Sequence, residues 1–235
     1  MNIITEKTDL FLSETTIESP VKIVCVTPHA EKMSSYIARV SNPSNQNNEN
    51  FAHLLAYCIK HAHWSVFEHA YMTMEINTSR AIATQILRHR SFTFQHFSQR
   101  YADNSLLAST IPLPELRSQD HKNRQNSIDN FSAEEKTEWN HKINMYLQQG
   151  FVLYKELLEG GVAKECARFI LPQTMPDRLY MTGNIRSWIH YIELRSGHGT
   201  QKEHMIIAQA CKALFVKEFP IIAQALQELK PAIWL

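Results

Sequence analysis

The chain reads as an α+β protein. Three observations carry that expectation: apolar residues recur at helical spacing in several segments, two short stretches have strand character, and helix-start signals outnumber strand signals. In chain order, residues 1–20 read as an N-terminal arm. Val21–Val26 is short, apolar and β-branched, the pattern of a buried strand. A helix is expected around 30–40, and the polar run at 41–50 reads as a surface loop. Phe51, Leu54, Leu55, Cys58, Ile59 and Ala62 share one helical face, so 51–62 is an amphipathic helix. Met72, Met74 and Ile76 alternate with Tyr71, Thr73 and Glu75, which predicts a strand over 70–77. Ser79 is positioned to cap a short helix through Leu87, with Ile82 and Ile86 inward.

Residues 103–130 are polar and turn-rich, an excursion from the core. Ser132-Ala-Glu-Glu135 is a capping box opening a helix with an apolar stripe of Trp139, Ile143, Leu147, Tyr154 and Leu158, closed by Gly160-Gly161. Further helices are expected at 162–170, 184–195, 203–218 and 220–229, the third opened by a second capping box, Thr200-Gln-Lys-Glu203. On 184–195, Ile185, Trp188, Ile189 and Ile192 form the buried face and leave Arg186 and His190 together on the other.

Composition narrows the function. A chain of 235 residues suits one domain, expected to run over 1–235, and 44% hydrophobic residues can build a sizeable core. The formal charge of +1 excludes a globally basic polyanion binder, although a local cluster can still hold phosphate. No apolar run approaches the ~18 residues of a membrane span. The first residues lack the basic and apolar regions of a secretory signal, and Cys25, Cys58, Cys166 and Cys211 are scattered without CxxC spacing. A cytoplasmic protein in a reducing compartment is the expectation, with no nucleic-acid or membrane partner.

The densest chemistry is Arg88-His-Arg-Ser-Phe-Thr-Phe-Gln-His-Phe-Ser-Gln-Arg100. Arginines held beside Phe92, Phe94 and Phe97 suit an anionic ligand, because the guanidinium fork pairs with phosphate through two hydrogen bonds. Gln85 and Arg88 are placed three apart on the preceding helix, so both can serve one pocket. Read alone, the segment is equally a surface loop with snorkelling arginines.

Arg88-His89-Arg90, seven residues, then Ser98 resembles the RHR-x7-S signature of the flavin-dependent thymidylate synthases. The resemblance extends to His63-Trp-Ser-Val-Phe-Glu-His69, to Arg168 within Ala-Arg-Phe-Ile-Leu-Pro172, and to Asn184-Ile-Arg186-Ser-Trp-Ile-His190. Glu193-Leu-Arg195 with Thr200-Gln-Lys-Glu203 resembles the closing segment. It spans roughly 21–218 in order. It implies a central mixed or antiparallel sheet flanked by helices, and conversion of dUMP to dTMP with methylenetetrahydrofolate as carbon donor. FAD and NADPH supply the reductant, in a homotetramer with FAD at subunit interfaces.

By the same resemblance, dUMP falls to Gln85, Arg88, His96, Phe97, Ser98, Gln99, Arg100, Arg168 and Arg195. Phosphate is expected to be shared by Arg88, Arg100 and Arg168. FAD falls to Ser65, Glu68, Arg88, His89, Arg90, His96, Asn184, Arg186 and His190. Arg195 activates the pyrimidine, and Ser98 binds and polarises substrate without attacking it. Two positions depart from the family pattern. His96 stands where relatives often carry an acid, and Gly199-Thr200 replaces His-Ala before the closing Gln-x-Glu, which leaves His198 as the nearest histidine.

Rival readings are weaker. His61, His63, Glu68 and His69 evoke a metal-dependent hydrolase, but HExxH is absent and no metal is expected. Cys166, near Arg168, evokes a cysteine nucleophile, but it reads as a packing residue in an apolar helical stripe. An RNA-binding module would stack bases on the phenylalanines, against the near-neutral charge.

Overall fold

The computed structural model describes residues 19–107, 115–197 and 199–235. The expected arm therefore lies almost wholly outside the described residues, as do His198 and residues 108–114 of the polar excursion. Along the chain run β1 (Val21–Val26), α1 (Ala30–Ala38), α2 (Ala52–Lys60), β2 (Tyr71–Ser79), α3 (Arg80–Ile86), β3 (Thr93–His96), β4 (Ser118–Gln119) and β5 (Ser127–Ile128). They are followed by α4 (Ala133–Glu159), α5 (Lys164–Ala167), β6 (Pro176–Asn184), α6 (Ile185–Arg195), α7 (Lys202–Glu218), α8 (Pro220–Leu229) and α9 (Pro231–Trp234). Four strands form a sheet in the order β1-β2-β6-β3, and β4 pairs with β5 as a separate antiparallel ribbon. The fold is α+β, as expected.

The backbone gathers into two compact units. One is built from Asn77–Gln85 and His96–Arg178, the other from Ser19–Ile76, Ile86–Gln95 and Leu179–Leu235.

In the first unit the capping box forms as the sequence demands: Ser132 Oγ accepts the Glu135 amide, and Glu135 Oε2 accepts the Ser132 amide at 2.8 Å. Leu147 and Tyr154 of α4 are buried, but Trp139 is not. Its place on the stripe is corrected: it faces solvent beside Lys142, whose ammonium sits 4.7 Å above the indole. Cys166 is likewise exposed and is no packing residue. Ser79 Oγ meets the Ile82 amide at the long distance of 3.4 Å, and Ile82 is buried.

In the second unit β1 pairs antiparallel with β2, Val21 opposite Ile76 and Val26 opposite Met72, with the register slipping between Ile23 and Cys25. Because β1 is last in the sheet order, only Val21 is buried; the expected buried strand is an edge strand. Met72, Met74 and Ile76 are wholly buried as predicted, but the alternation breaks at Glu75, which is buried too, paired with Lys22 and accepting from Tyr180 Oη at 2.9 Å. Trp188, Tyr191, Phe67, Phe215, Phe219 and Trp234 fill the core.

Two further expectations fail locally. Arg88 is not helical, because α3 stops at Ile86 and Arg88 sits in the turn that follows. The second capping box does not form: α7 starts after Gln201 without a side-chain cap, and Thr200 Oγ1 donates instead to the Leu194 carbonyl at 3.4 Å. Strands β3 and β6, and the β4–β5 ribbon within the polar excursion, have no counterpart among the elements expected from the sequence.

Candidate functional site

Helix α6 sorts its residues into two faces. Ile185, Trp188, Ile189 and Ile192 are buried as predicted, and Arg186 and His190 stand exposed one turn apart. The helix starts where β6 ends. Asn184 keeps an extended backbone and its Oδ1 accepts the Ser187 amide at 2.8 Å, while the Ile185 amide donates to the Ala70 carbonyl. Trp188 Nε1 donates to the Met72 carbonyl at 2.9 Å, pinning the helix to β2.

A cavity of about 670 Å³ opens beside this helix, lined by Trp64, Glu68, Ser91, Asn184, Arg186, Ser187, Ile189, His190, Glu193 and Lys230. Glu68, Asn184, Arg186 and His190 of the expected flavin set thus meet on one wall system, although the segments holding them are more than a hundred residues apart. Arg186 Nη1 donates to Glu68 Oε1. Of the same set, Ser65, Arg88 and Arg90 are exposed and line no part of this cavity, and His89 is buried away from it. The donor set fits a flavin nucleotide. The Arg186 guanidinium suits phosphate oxygens, and Trp64 and Ile189 offer apolar surface to a ring.

His89 is tied to Arg195. Arg195 Nε donates to His89 Nε2 at 3.0 Å, which puts the imidazole proton on Nδ1. The His89 ring also meets the edge of Tyr191 at 4.9 Å, and Tyr191 Oη shares a 3.2 Å hydrogen bond with His204 Nε2. Burial first, then the positive charge of Arg195, pushes His89 down to about 4 and His204 down to about 3. Both rings are therefore neutral at ordinary pH, and His89 can act as an acceptor. In the sequence His204 gave no sign of this, since it sits inside an amphipathic helix.

The first unit holds a second arrangement. His96 Nε2 lies 2.7 Å and Arg80 Nη1 3.0 Å from Asp177 Oδ2, and Asp177 is almost wholly buried. The buried carboxylate requires that Nε2 donate to it, leaving Nδ1 as the outward nitrogen of His96. Thus His96 is held by an acid from a different segment. The partner was missed because Asp177 lies in a strand that the sequence pattern concealed.

Ser98 and Arg100 line a smaller cavity of about 390 Å³ with Tyr101, Ala163, Lys164 and Glu165. Arg100 pairs with Glu165 at 3.0 Å, both well exposed. The Ser98 carbonyl accepts the amides of Tyr101 and Ala102, so the signature serine opens a tight turn. Phe97 donates its amide to the Arg178 carbonyl at 2.9 Å, and Gln99 is buried. Arg168 stacks over Phe169 at 5.8 Å and does not line this cavity, and Gln85 is half-buried. Lys164 and Tyr101 were not singled out in the sequence, nor were Trp64, Ser91 and Lys230 of the larger cavity.

The family model described as thymidylate synthase complementing protein matches residues 22–221. The probable flavin-dependent thymidylate synthase of Paramecium bursaria Chlorella virus 1 is 56% identical over 198 residues, covering 84% of this chain and 90% of the relative. The flavin-dependent thymidylate synthase of Synechocystis sp. is 50% identical over 197 residues, covering 84% and 89%. In fold, the chain resembles the UMP/dUMP methylase PolB of Streptomyces cacaoi bound with 5-Br dUMP. That match has a TM-score of 0.77 at 23% identity and covers 88% of this chain and 94% of that one. With the family match running over residues 22–221 and relatives 50–56% identical, the chain belongs to the family of flavin-dependent thymidylate synthases.

Proposed function

We propose that this enzyme carries out the reductive methylation of dUMP to dTMP for de novo dTTP synthesis. Methylenetetrahydrofolate is the carbon donor, and FAD reduced by NADPH is the reductant. The observation that carries the reading is the 670 Å³ cavity, where motif residues from two distant segments converge on a donor set suited to a flavin nucleotide. Glu68, Asn184, Arg186 and His190 hold the cofactor there. Arg186 supplies a cation to it, and Glu68 fixes the direction of that guanidinium. Ser65, Arg88, His89, Arg90 and His96 complete the flavin set by resemblance. When bound, the flavin supplies the hydride for the pyrimidine, so no covalent protein nucleophile is needed.

Nucleotide binding falls to Gln85, Arg88, His96, Phe97, Ser98, Gln99, Arg100, Arg168 and Arg195. Among the described residues Arg100 pairs with Glu165 in an exposed ion pair, which contributes little and yields readily to a phosphate dianion. Ser98, beside Arg100, offers a hydroxyl to the same ligand. Arg195 spends Nε on His89 and presents its terminal nitrogens to the edge of the uracil ring. There the always-charged guanidinium stabilises negative charge on the ring and makes C5 more nucleophilic.

The chain acts as a single domain over 1–235 and works in the cytoplasm as a homotetramer with FAD at subunit interfaces. Among the described residues no helix is long and apolar enough to cross a membrane. An anaerobic assay for dTMP, omitting NADPH, methylenetetrahydrofolate and FAD in turn, tests the reading. Product should vanish on each omission. Formation of dTMP by flavin-free enzyme, or none with every component present, would overturn it.

A further inference from the structure

Beyond the matched residues 22–221, the C-terminal segment returns to the flavin cavity. Helix α8 ends at Leu229, Lys230 joins it to α9, and Pro231 fixes the first residue of that short turn. The segment is anchored on both sides. Trp234 is buried against Phe215, with ring centroids 5.5 Å apart, and Lys212 Nζ donates to the Ile233 carbonyl at 2.9 Å.

Glu193 of α6 forms a clasp across this junction. Its Oε1 accepts the Trp234 indole N–H at 3.2 Å and its Oε2 accepts Lys230 Nζ at 2.7 Å. Lys230 is therefore not a free surface lysine. Lys230 and its partner Glu193 line the same cavity as Arg186 and His190.

We propose that Lys230 is a phosphate-binding residue of the flavin site, delivered to the cavity by the C-terminal segment that Glu193 clasps. This rests on the reading of the cavity as the flavin site. An ammonium has three donors, and the bond to Glu193 uses one, so two remain for phosphate oxygens without breaking the clasp. Arg186 likewise keeps donors beyond the one that Glu68 accepts. The two cations share one cavity, which suits the two charges of a dinucleotide diphosphate. Half the Lys230 side chain is exposed, so the contact is a moderate one.

The test is titration of FAD into the flavin-stripped full chain, followed by flavin fluorescence, for wild type, Lys230→Ala, Lys230→Arg, Lys230→Glu and Arg186→Ala. Loss of a single charge-assisted contact should weaken FAD binding about tenfold in Lys230→Ala. Lys230→Glu should be weaker still, Lys230→Arg close to wild type, and the salt dependence shallower in the alanine variant. Wild-type affinity in Lys230→Ala with weakened Arg186→Ala sinks the proposal and leaves the cavity reading intact. Wild-type affinity in both sinks the cavity reading itself. Equal losses in all three Lys230 variants would make the residue only a prop for the C-terminal segment, which also overturns a phosphate contact.

Discussion

Arg195 and His89 lie 106 residues apart in sequence and 3.0 Å apart in space, and their pairing sets the chemistry expected of each. A buried, neutral imidazole accepts from Nε and so fixes the plane in which the rest of the guanidinium can meet a pyrimidine edge. If Arg195 meets the uracil edge as proposed, charge on that edge grows during the reaction and the contact counts more in the transition state than in binding. Arg195→Ala should lower turnover ~100-fold or more, the scale for losing one donor to a developing charge. Arg195→Lys should recover only part, because a point charge lacks the planar fork. The pH dependence has a definite sign. His89 is neutral above its lowered value of about 4 and accepts the bond; below it the ring gains a proton, loses the acceptor and sets a second cation beside Arg195. Turnover should therefore fall on the acid side toward pH 4. Steady-state kinetics on both variants across pH decide this; wild-type turnover in Arg195→Ala would leave the arginine a helix-end residue only. The signature made His89 legible in the sequence and the Glu193-Leu-Arg195 segment did so for Arg195, but their bond was not legible, since nothing local encodes a contact between a turn and a distant helix.

At the scale of elements, legibility followed the purity of the pattern. Strand β2 and helix α6 carry clear apolar periods, and their apolar rows are buried as the periods predict, although Glu75 in β2 and Ser187 and Tyr191 in α6 are buried as well. Strand β6 was missed although it alternates perfectly, because its inward positions are Asp177, Leu179, Met181 and Gly183, and two of those are not hydrophobic. Each exception has a cause. Asp177 is buried because Arg80 and His96 satisfy it, and Gly183 is there because Phe92 leaves no room. A Cβ on Gly183 would fall 2.4 Å from two atoms of the Phe92 ring, which also packs edge-on with Trp188 at a centroid distance of 4.9 Å. Gly183→Ala must displace that ring or bend β6 one residue before the Asn184 cap. It should destabilise the protein by ~1–3 kcal/mol, as overpacking does. Thermal denaturation measures the loss, and Gly183→Ala combined with Phe92→Leu should recover part of it. An unchanged melting temperature in the single variant would mean that the strand tolerates the methyl group. Strand β3 escaped for a different reason: it lies inside the signature, where its charges and aromatics read as ligand chemistry and masked a four-residue strand.

The whole molecule, proposed to be a tetramer, needs a surface on which to assemble, and α4 offers one. Trp139, Tyr146 and Leu153 recur every seven residues, and Met145 and Val152 run beside them at the same spacing; all five are exposed. Seven residues are close to two helical turns, so Trp139, Tyr146 and Leu153 form one exposed apolar row on a helix of 27 residues, and Met145 and Val152 form a second row about 100° round the axis from it. A monomer would hold that band of two rows in water, and bands of this kind mark protein contacts. The same fact explains the misread position of Trp139. Sequence periodicity finds an apolar face but does not tell an intramolecular core from a subunit contact, and along α4 the two faces lie side by side. If the band is the assembly surface, a charge placed at its centre must be desolvated on association without disturbing the internal face at Leu147 and Tyr154. Tyr146→Glu and Leu153→Glu should therefore keep wild-type helicity while shifting the mass seen by light scattering from tetramer to smaller species. With FAD held between subunits, the dissociated protein should also lose flavin. A tetramer of unchanged mass in both variants would move the interface off α4, and dissociated protein that keeps its flavin would assign the cofactor to a single subunit.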